Sequence, residues 1–336
     1  MKLHIHLFQH PTLQLIYAYD YYCRKHKIKV DVEINKSVHY NGALIDYQNK
    51  TLFFDYSDDM IFIDKPSKYD FYFKRSLAEK DKVGNVYPLN FNVPLAINPL
   101  SLLTKMNINF FKDKQSRIEI IRALDLFDWF TNNSHKSMDV KRYPESIDDK
   151  GGNIIFHTRL WNPERTSLDD EKERRRIQND FRINACRIIK KNFKNSSVGI
   201  FPDELSLKLA PDIVLDLKET DKKTYFDKMR NVNIGVADDG LKDTPGWKIG
   251  EYLLNGKAVI STPLNVCIDD FNEEKNYMKL SSRSAYEELP DTIEALLKGK
   301  RYLEMAENNF NWSKEYIHPF NYLERIFALV QNEAKF

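Results

Sequence analysis

Cysteine and net charge are both scarce in this sequence. Its three cysteines, Cys23, Cys186 and Cys267, lie far apart, with neither the C-x-x-C spacing of zinc or redox sites nor the density of a secreted disulfide scaffold. Lys and Arg number 51 against 49 Asp and Glu, and the resulting charge of +2 is too small to gather nucleic acid. We therefore expect a protein of the reducing cytoplasm that does not bind nucleic acid.

Long uninterrupted apolar segments are also missing. The N-terminal stretch is broken by His4 and His6, so neither a signal peptide nor a targeting helix is expected. Residues 83–104 carry no charge and are long enough to span a bilayer, but three prolines and four asparagines interrupt them. Two interpretations stay open for this stretch: core strands of the first domain, or a loop that rests on a membrane surface.

Several common motifs of nucleotide and catalytic sites are absent. The sequence has no G-x-x-x-x-G-K-[ST], G-x-G-x-x-G, G-x-S-x-G or H-E-x-x-H, which excludes the P-loop, dinucleotide, lipase-type and zincin classes. His4 and His6 share one face of a predicted strand but have no third ligand nearby. We therefore expect no metal site.

The residues that are present alternate between strand and helix patterns. At 336 residues the chain exceeds the size at which single cores usually stop growing, which favours two domains. In the first half the apolar patterns predict strands at 3–8, 28–34 and 70–74, a hairpin over 43–56, and helices at 10–26 and 115–130. In the second half they predict strands at 153–157, 198–201, 232–237 and 257–261, and helices at 167–193, 221–230 and 245–255. This alternation is typical of parallel α/β sheets.

Candidate ligand-binding residues follow the predicted strands, because ligands of open parallel sheets lie beyond the carboxyl ends of the strands. Lys74 and Arg75 lie at the end of the predicted strand at 70–74, and Thr158 and Arg159 follow the strand at 153–157. His10 follows the first strand, and a histidine that simply opens a helix stays the alternative interpretation. Strand ends are polar in any protein, so ordinary surface polarity stays open for Lys74 and Arg75.

Residues 238–262 carry the clearest local pattern. Thr244 is a suitable N-cap, with Pro245 at the first helical position and Gly256 after the last turn. The N–H groups of Gly246 and Trp247 would then be available to a phosphate or carboxylate. Glu251 would lie roughly 9 Å further along the axis, at about 1.5 Å per residue, where it could accept a hydrogen bond from a ribose. The alternative is that Asp243 and Glu251 are ordinary surface and helix-face acids.

This segment resembles the donor-site helix of GT-B glycosyltransferases, in particular the family 4 (group 1) enzymes of bacterial capsule and lipopolysaccharide synthesis. Those enzymes have two acids separated by seven residues, followed by a small-residue turn and a short strand written G-K/x-P-V-I. Asp243 and Glu251 have that separation, and residues 256–260 (GKAVI) stand for the turn and the strand. The first acid is Asp instead of Glu, and Ala258 replaces the usual Pro.

The resemblance covers most of residues 152–330, because residues 156–160 are similar to the family's arginine-bearing loop and residues 310–330 to its terminal helix. It implies two Rossmann-like parallel-sheet domains that face a cleft, with an acceptor-side domain at 1–135, a linker at 136–151, a donor domain at 152–310 and a crossing helix at 311–336. It also implies transfer of a sugar, most simply a hexose, from a nucleotide sugar to a glycan or lipid-linked glycan. The implied donor-binding residues are Thr158, Asp243, Thr244, Gly246, Trp247 and Glu251, and the implied acceptor-side residues are Lys74 and Arg75.

A reaction of this kind must stabilise a departing nucleoside diphosphate. The sequence has no D-x-D, so cations and a helix N-terminus are expected to replace a metal, and we assign Arg159 and Lys248 to this task. Inversion at the sugar would need a base, for which His10 is the candidate, whereas retention would need none. No cofactor is expected, because the nucleotide sugar is a substrate.

Two other functions stay compatible with the sequence, an epimerase or hydrolase of nucleotide sugars and a non-catalytic nucleotide-binding protein. The predicted location is the cytoplasm. Contact with the inner face of the plasma membrane is possible through residues 83–104, beside the cations Lys74, Arg75 and Lys105.

Overall fold

The computed structural model describes residues 1–7, 10–93, 95, 114, 117–118 and 140–333. The chain divides into two compact units. Unit 1 contains Met1–Tyr143, Val266–Asp269 and Ser313–Phe336, and unit 2 contains Pro144–Asn265 and Asp270–Trp312. Each unit has its own β-sheet and its own hydrophobic core, so the predicted α/β class with two sheets is confirmed.

The described residues form eight α-helices. They are α1 (Leu13–Lys25), α2 (Asp169–Asn192), α3 (Glu204–Leu209), α4 (Lys222–Met229), α5 (Trp247–Leu254), α6 (Leu289–Leu297), α7 (Arg301–Tyr316) and α8 (Pro319–Glu333). Among these residues no helix is long and apolar enough to cross a membrane.

The sheet of unit 1 has six strands in the order β2-β1-β3-β4-β5-β6. These are β1 (Lys2–Ile5), β2 (Val32–Ile34), β3 (Gly42–Tyr47), β4 (Lys50–Asp55), β5 (Phe71–Lys74) and β6 (Val86–Pro88). The β1–β2, β4–β5 and β5–β6 pairings are parallel, while β3 runs antiparallel to both of its neighbours. The predicted hairpin produces this reversal, since Gln48 and Asn49 both adopt the positive φ that a tight two-residue turn requires.

The core of unit 1 is completed from the far end of the sequence. Helix α1 packs against α8, and Tyr322, Leu323 and Phe327 of α8 are buried in the same cluster as Leu15 and Ile16 of α1. Within residues 83–104 the described part includes β6 and the buried side chains of Leu89, Phe91, Val93 and Leu95. The rest of that stretch, and almost all of the helix predicted at 115–130, lies outside the described residues.

The sheet of unit 2 is parallel throughout its described pairings, in the order β11-β10-β9-β7-β8. Its strands are β7 (Ile154–Thr158), β8 (Ser196–Ile200), β9 (Ile234–Ala237), β10 (Ala258–Ser261) and β11 (Tyr277–Lys279). This is a doubly wound order: the strands on one side of β7 are added in one direction and those on the other side in the opposite direction, so the switch point lies between β7 and β9. Because the connections on either side of such a point leave in opposite directions, a crevice opens beyond the carboxyl ends of these two strands.

Candidate functional site

Helix α5 begins two residues later than the sequence predicts. Gly246 is its N-cap, and the Thr244 hydroxyl donates to the Leu241 carbonyl at 2.8 Å instead of capping the helix. The cause is the preceding turn, in which Lys242 and Asp243 both have positive φ, so the chain is not yet helical at Pro245. Gly246 and Trp247 therefore occupy the N-cap and the first helical position.

Asp243 is part of an ionic cluster at the end of β9. Arg283 donates to its carboxylate and also approaches the Asp239 carboxylate, with Nε 2.7 Å from Oδ2. Asp239 is 2% exposed, and burial together with the neighbouring Asp238 raises its pKa to about 6. Asp243, one of the donor-binding residues that the resemblance implies, is thus already ion-paired with Arg283.

Helix α2 fixes the loop that leads to α5. Arg182 makes a bidentate ion pair with Asp238, with Nη2 2.8 Å from Oδ1. Gln178 donates to the Gly240 carbonyl at 2.9 Å. Arg174 donates to the same carbonyl. All three side chains lie on one face of α2 because they are spaced four residues apart. The start of α5 is therefore anchored to the core of unit 2.

A cavity of about 190 Å³ lies in unit 2 beyond the carboxyl end of β7 and brings four of the predicted residues together, Thr158, Arg159, Lys248 and Glu251. Residues that the sequence did not single out for the site complete its lining: His157, Phe201, Leu215, Glu219, Thr220, Lys222 and Tyr225. The other predicted donor residues, Asp243, Thr244, Gly246 and Trp247, are not among the lining residues.

Two cations of this cavity were predicted. Arg159 is exposed, its guanidinium stacks over the Trp161 ring at 4.5 Å, and its carbonyl accepts a hydrogen bond from Arg182 at 2.6 Å. Lys248 lies in the first turn of α5, where burial and the nearby Arg182 lower its pKa to about 8. Both side chains are charged at neutral pH and can meet an anion in the cavity.

Glu251 is buried, at 3% exposure, and not an exposed helix-face acid. Lys222 of α4 donates to its carboxylate, and the same ammonium lies 5.0 Å from the ring centroids of Tyr225 and Phe226. The sequence analysis did not select Lys222 as a site residue. Its position directly after the N-cap Asp221 could have indicated it, because a cation in the first helical turn opposes the helix dipole and needs a partner elsewhere.

Two further groups of the cavity are held uncharged. Burial, followed by the charges of Lys228 and Lys248, lowers the pKa of His157 to about 4, and its Nε2 is 2.8 Å from the Ser197 hydroxyl. Tyr225 is buried, and in the described part of the chain its hydroxyl makes no hydrogen bond of good geometry.

The acceptor-side residues of the sequence prediction point into unit 1. Lys74 is fully buried at the end of β5, where its ammonium donates to the Ser57 hydroxyl at 2.8 Å and lies 3.3 Å from the Asp55 carboxylate. Arg75 is 3% exposed and pairs with Asp58. Both cations thus have carboxylate partners within unit 1. Their acceptor-side role stays a prediction.

The remaining predictions concern His10 and the absence of a metal site. His10 begins the turn His10–Thr12, but its side chain is outside what the structure describes, so its role as a base stays a prediction. His4 is 2.9 Å from Asp46, and His6 donates to the Val38 carbonyl at 2.8 Å. Across the described residues, no group of three or more His, Cys, Asp or Glu side chains is arranged to hold a metal ion.

No protein-family model matches this chain, and no curated protein matches it. Among solved structures it is similar to the C-terminal domain of LpcC, a group 1 family glycosyl transferase from Francisella tularensis, with 14% identity over 52% of this chain and 94% of that one and a TM-score of 0.34. It is similar to TarM with 11% identity over 78% of this chain and 44% of that one, at a TM-score of 0.38. The third is WaaG, a glycosyltransferase involved in lipopolysaccharide biosynthesis, with 9% identity over 75% and 73% and a TM-score of 0.33. The proposals below rest on the geometry of the cavity.

Proposed function

We propose that this protein is a glycosyltransferase that takes its sugar from a nucleotide sugar, with the nucleotide in the cavity of unit 2. The observation that carries the proposal is the meeting of Arg159, Lys248 and the buried Glu251 at the point where a doubly wound sheet reverses its order. Two cations suit a diphosphate, because charge-assisted hydrogen bonds to its oxygens are among the strong ones. A carboxylate, whose oxygens accept hydrogen bonds, suits the hydroxyl groups of a ribose.

Each of these groups has a defined task in the proposed reaction. When the bond between the anomeric carbon and the diphosphate oxygen breaks, the electron pair stays on the diphosphate, and Arg159 and Lys248 stabilise that added negative charge. Glu251 fixes the ribose and thereby the position of the bond that breaks. If the sugar inverts, His10 takes the proton of the acceptor hydroxyl. The acceptor we propose is a glycan or lipid-linked glycan of a bacterial surface polysaccharide, at the inner face of the plasma membrane.

The first test is nucleotide binding by the variant Glu251→Gln. Glutamine keeps the shape of the buried side chain but not its charge, and hydrogen bonds to charged groups contribute about 1.5–3 kcal/mol. We therefore expect at least a roughly tenfold weaker affinity for whichever of UDP, GDP, CMP or dTDP stabilises the native protein, measured by thermal shift and calorimetry. The matched control is Glu287→Gln, an exposed acid of unit 2 outside the cavity lining. Equal affinity of the native protein and a folded Glu251→Gln variant would remove this site.

The activity itself is tested by incubation with the nucleotide sugar that binds, with and without an acceptor pool. Transfer to an acceptor supports the proposal. Release or isomerisation of the sugar without acceptor indicates a hydrolase or epimerase, and binding without any turnover indicates a non-catalytic protein. Either of the last two outcomes contradicts the transferase.

We also expect the reaction to be independent of a divalent metal, because Arg159 and Lys248 line the proposed diphosphate site. Transfer rates should stay within about twofold of the untreated value in excess EDTA. A loss of activity on chelation that manganese restores would contradict the assignment of charge stabilisation to these two side chains.

A further inference from the structure

One part of the cavity has no task in the diphosphate and ribose assignments above. Glu219, at the end of the turn Leu217–Glu219, lines it together with Thr220, Phe201 and Leu215. The Glu219 carboxylate accepts a hydrogen bond from Lys228 through Oε1, and this bond lowers the pKa of Glu219 below its usual value. Glu219 is therefore ionised at neutral pH and acts only as an acceptor.

The wall beside Glu219 is apolar and fixed by the backbone. The Phe201 amide donates to the Thr158 carbonyl at 2.8 Å, and the Leu215 amide donates to the Ile200 carbonyl at 2.9 Å. Phe201 is 38% exposed, although a large aromatic ring is normally covered. An aromatic side chain and an ionised carboxylate in the lining of one cavity suit a flat heterocycle that stacks on the ring and presents N–H donors at its edge.

We propose that this part of the cavity binds a guanine base, with Glu219 accepting hydrogen bonds from N1–H and the N2 amino group, so that the donor is a guanosine diphosphate sugar. This inference rests on the proposed function. Guanine is the base with two adjacent donors on its pairing edge. Uracil and thymine flank their single N–H with two carbonyl oxygens, and adenine and cytosine present a ring nitrogen acceptor next to their amino group. Each of those acceptors would face the carboxylate without a hydrogen bond, which disfavours binding.

The test is calorimetry of the full chain with GDP, inosine diphosphate, UDP and ADP. We expect GDP to bind at least about tenfold more tightly than UDP or ADP, because a site built for a donor pair rejects ligands that lack it. Inosine diphosphate has N1–H but no N2 amino group, so its affinity should fall between those of GDP and UDP. The variant Glu219→Gln should lose about tenfold in GDP affinity and leave UDP affinity within about twofold.

Two further variants isolate the role of the carboxylate. Asp212→Asn removes an acid that also forms an exposed ion pair, 2.8 Å from Arg187, but that does not line the cavity, so GDP affinity should not change. Phe201→Ala should weaken all four nucleotides by a similar factor, because stacking does not distinguish bases by their edges. A weaker GDP affinity in Asp212→Asn would overturn the specific role of Glu219.

The remaining outcomes separate this inference from the function on which it rests. Similar affinities for GDP, UDP and ADP, equal affinities for GDP and inosine diphosphate, or an unchanged GDP affinity in a folded Glu219→Gln variant would each overturn the guanine assignment and leave the nucleotide site in place. If none of the four nucleotides binds, the proposed function itself fails.

Discussion

Replacing Lys74 by alanine is expected to lower the free energy of unfolding by roughly 3–5 kcal/mol, because one partner of a buried ion pair is removed. Asp55 would stay buried with only neutral donors, among them the Tyr72 hydroxyl at 2.8 Å and the Ser57 amide at 2.9 Å. The Ser57 hydroxyl would lose the ammonium that donates to it. The change is measured by urea denaturation followed by circular dichroism, with hydrogen exchange at β4 and β5 to confirm that unit 1 is the part affected.

The matched control is Lys50→Ala in the same sheet. Lys50 pairs with Asp70 at 3.0 Å, but its side chain is 41% exposed, and exposed pairs contribute at most about 1 kcal/mol. The double variant Lys74→Met with Asp55→Asn removes both buried charges and should be more stable than Lys74→Ala. If Lys74→Ala unfolds at the same urea concentration as the native protein and instead impairs transfer to the acceptor, the acceptor-side role predicted from the sequence is restored.

Nucleotide affinity should fall as the pH rises through about 8. The diphosphate binds the charged form of Lys248, and burial lowers the pKa of that ammonium to about 8, so the binding form disappears above this pH. The decrease should approach tenfold per pH unit between about pH 8.5 and 9.5, where most of the lysine is neutral. Calorimetry with the preferred nucleotide at half-unit steps from pH 7 measures this slope.

The variant Lys248→Arg is the control, since a guanidinium stays protonated over this range. Its affinity should be nearly independent of pH between 7 and about 8.5. Above that range both proteins share the loss caused by deprotonation of the N1–H of a guanine base. Lys248→Met should bind more weakly than the native protein at pH 7, where Lys248 is charged. A slope that is equally steep in Lys248→Arg would attribute the pH dependence to another group and contradict the assignment to Lys248.

Much of the architecture could be predicted from the sequence, because strands and helices depend on local patterns of apolar residues. Four of the five described strands of unit 2 lie close to where apolar runs predicted them, whereas β11 was not predicted. The rule that ligands lie beyond strand ends was enough to select Arg159. Glu251 followed from its spacing on the predicted helix. Residues selected by such rules share one cavity because β7 and β9 are parallel neighbours, so the segments that follow them leave from the same edge of the sheet.

The failures concern tertiary partners, which a local pattern does not contain. Lys74 and Arg75 looked like exposed cations at a strand end, but Asp55 and Asp58, from the neighbouring strand and the loop after it, pair with them inside unit 1. Thr244 looked like an N-cap, but the positive φ of Lys242 and Asp243 delays the helix. Two residues of the cavity that the sequence analysis did not select are held by distant partners. Lys222 pairs with Glu251, which is 29 residues away in the chain, and Glu219 pairs with Lys228, which is 9 residues away.

The division of the chain between the two units sets the order in which they are completed on the ribosome. Unit 1 starts at the N-terminus, but its core includes Tyr322, Leu323 and Phe327 of α8 and its boundary takes in Val266–Asp269. Unit 2 needs nothing beyond residue 312. The second unit in sequence is therefore the first of the two whose residues have all been synthesised, and the apolar face of α1 stays uncovered until α8 has been made. During that interval the uncovered apolar surface of unit 1 makes it the part of the nascent chain to which we expect chaperones to bind.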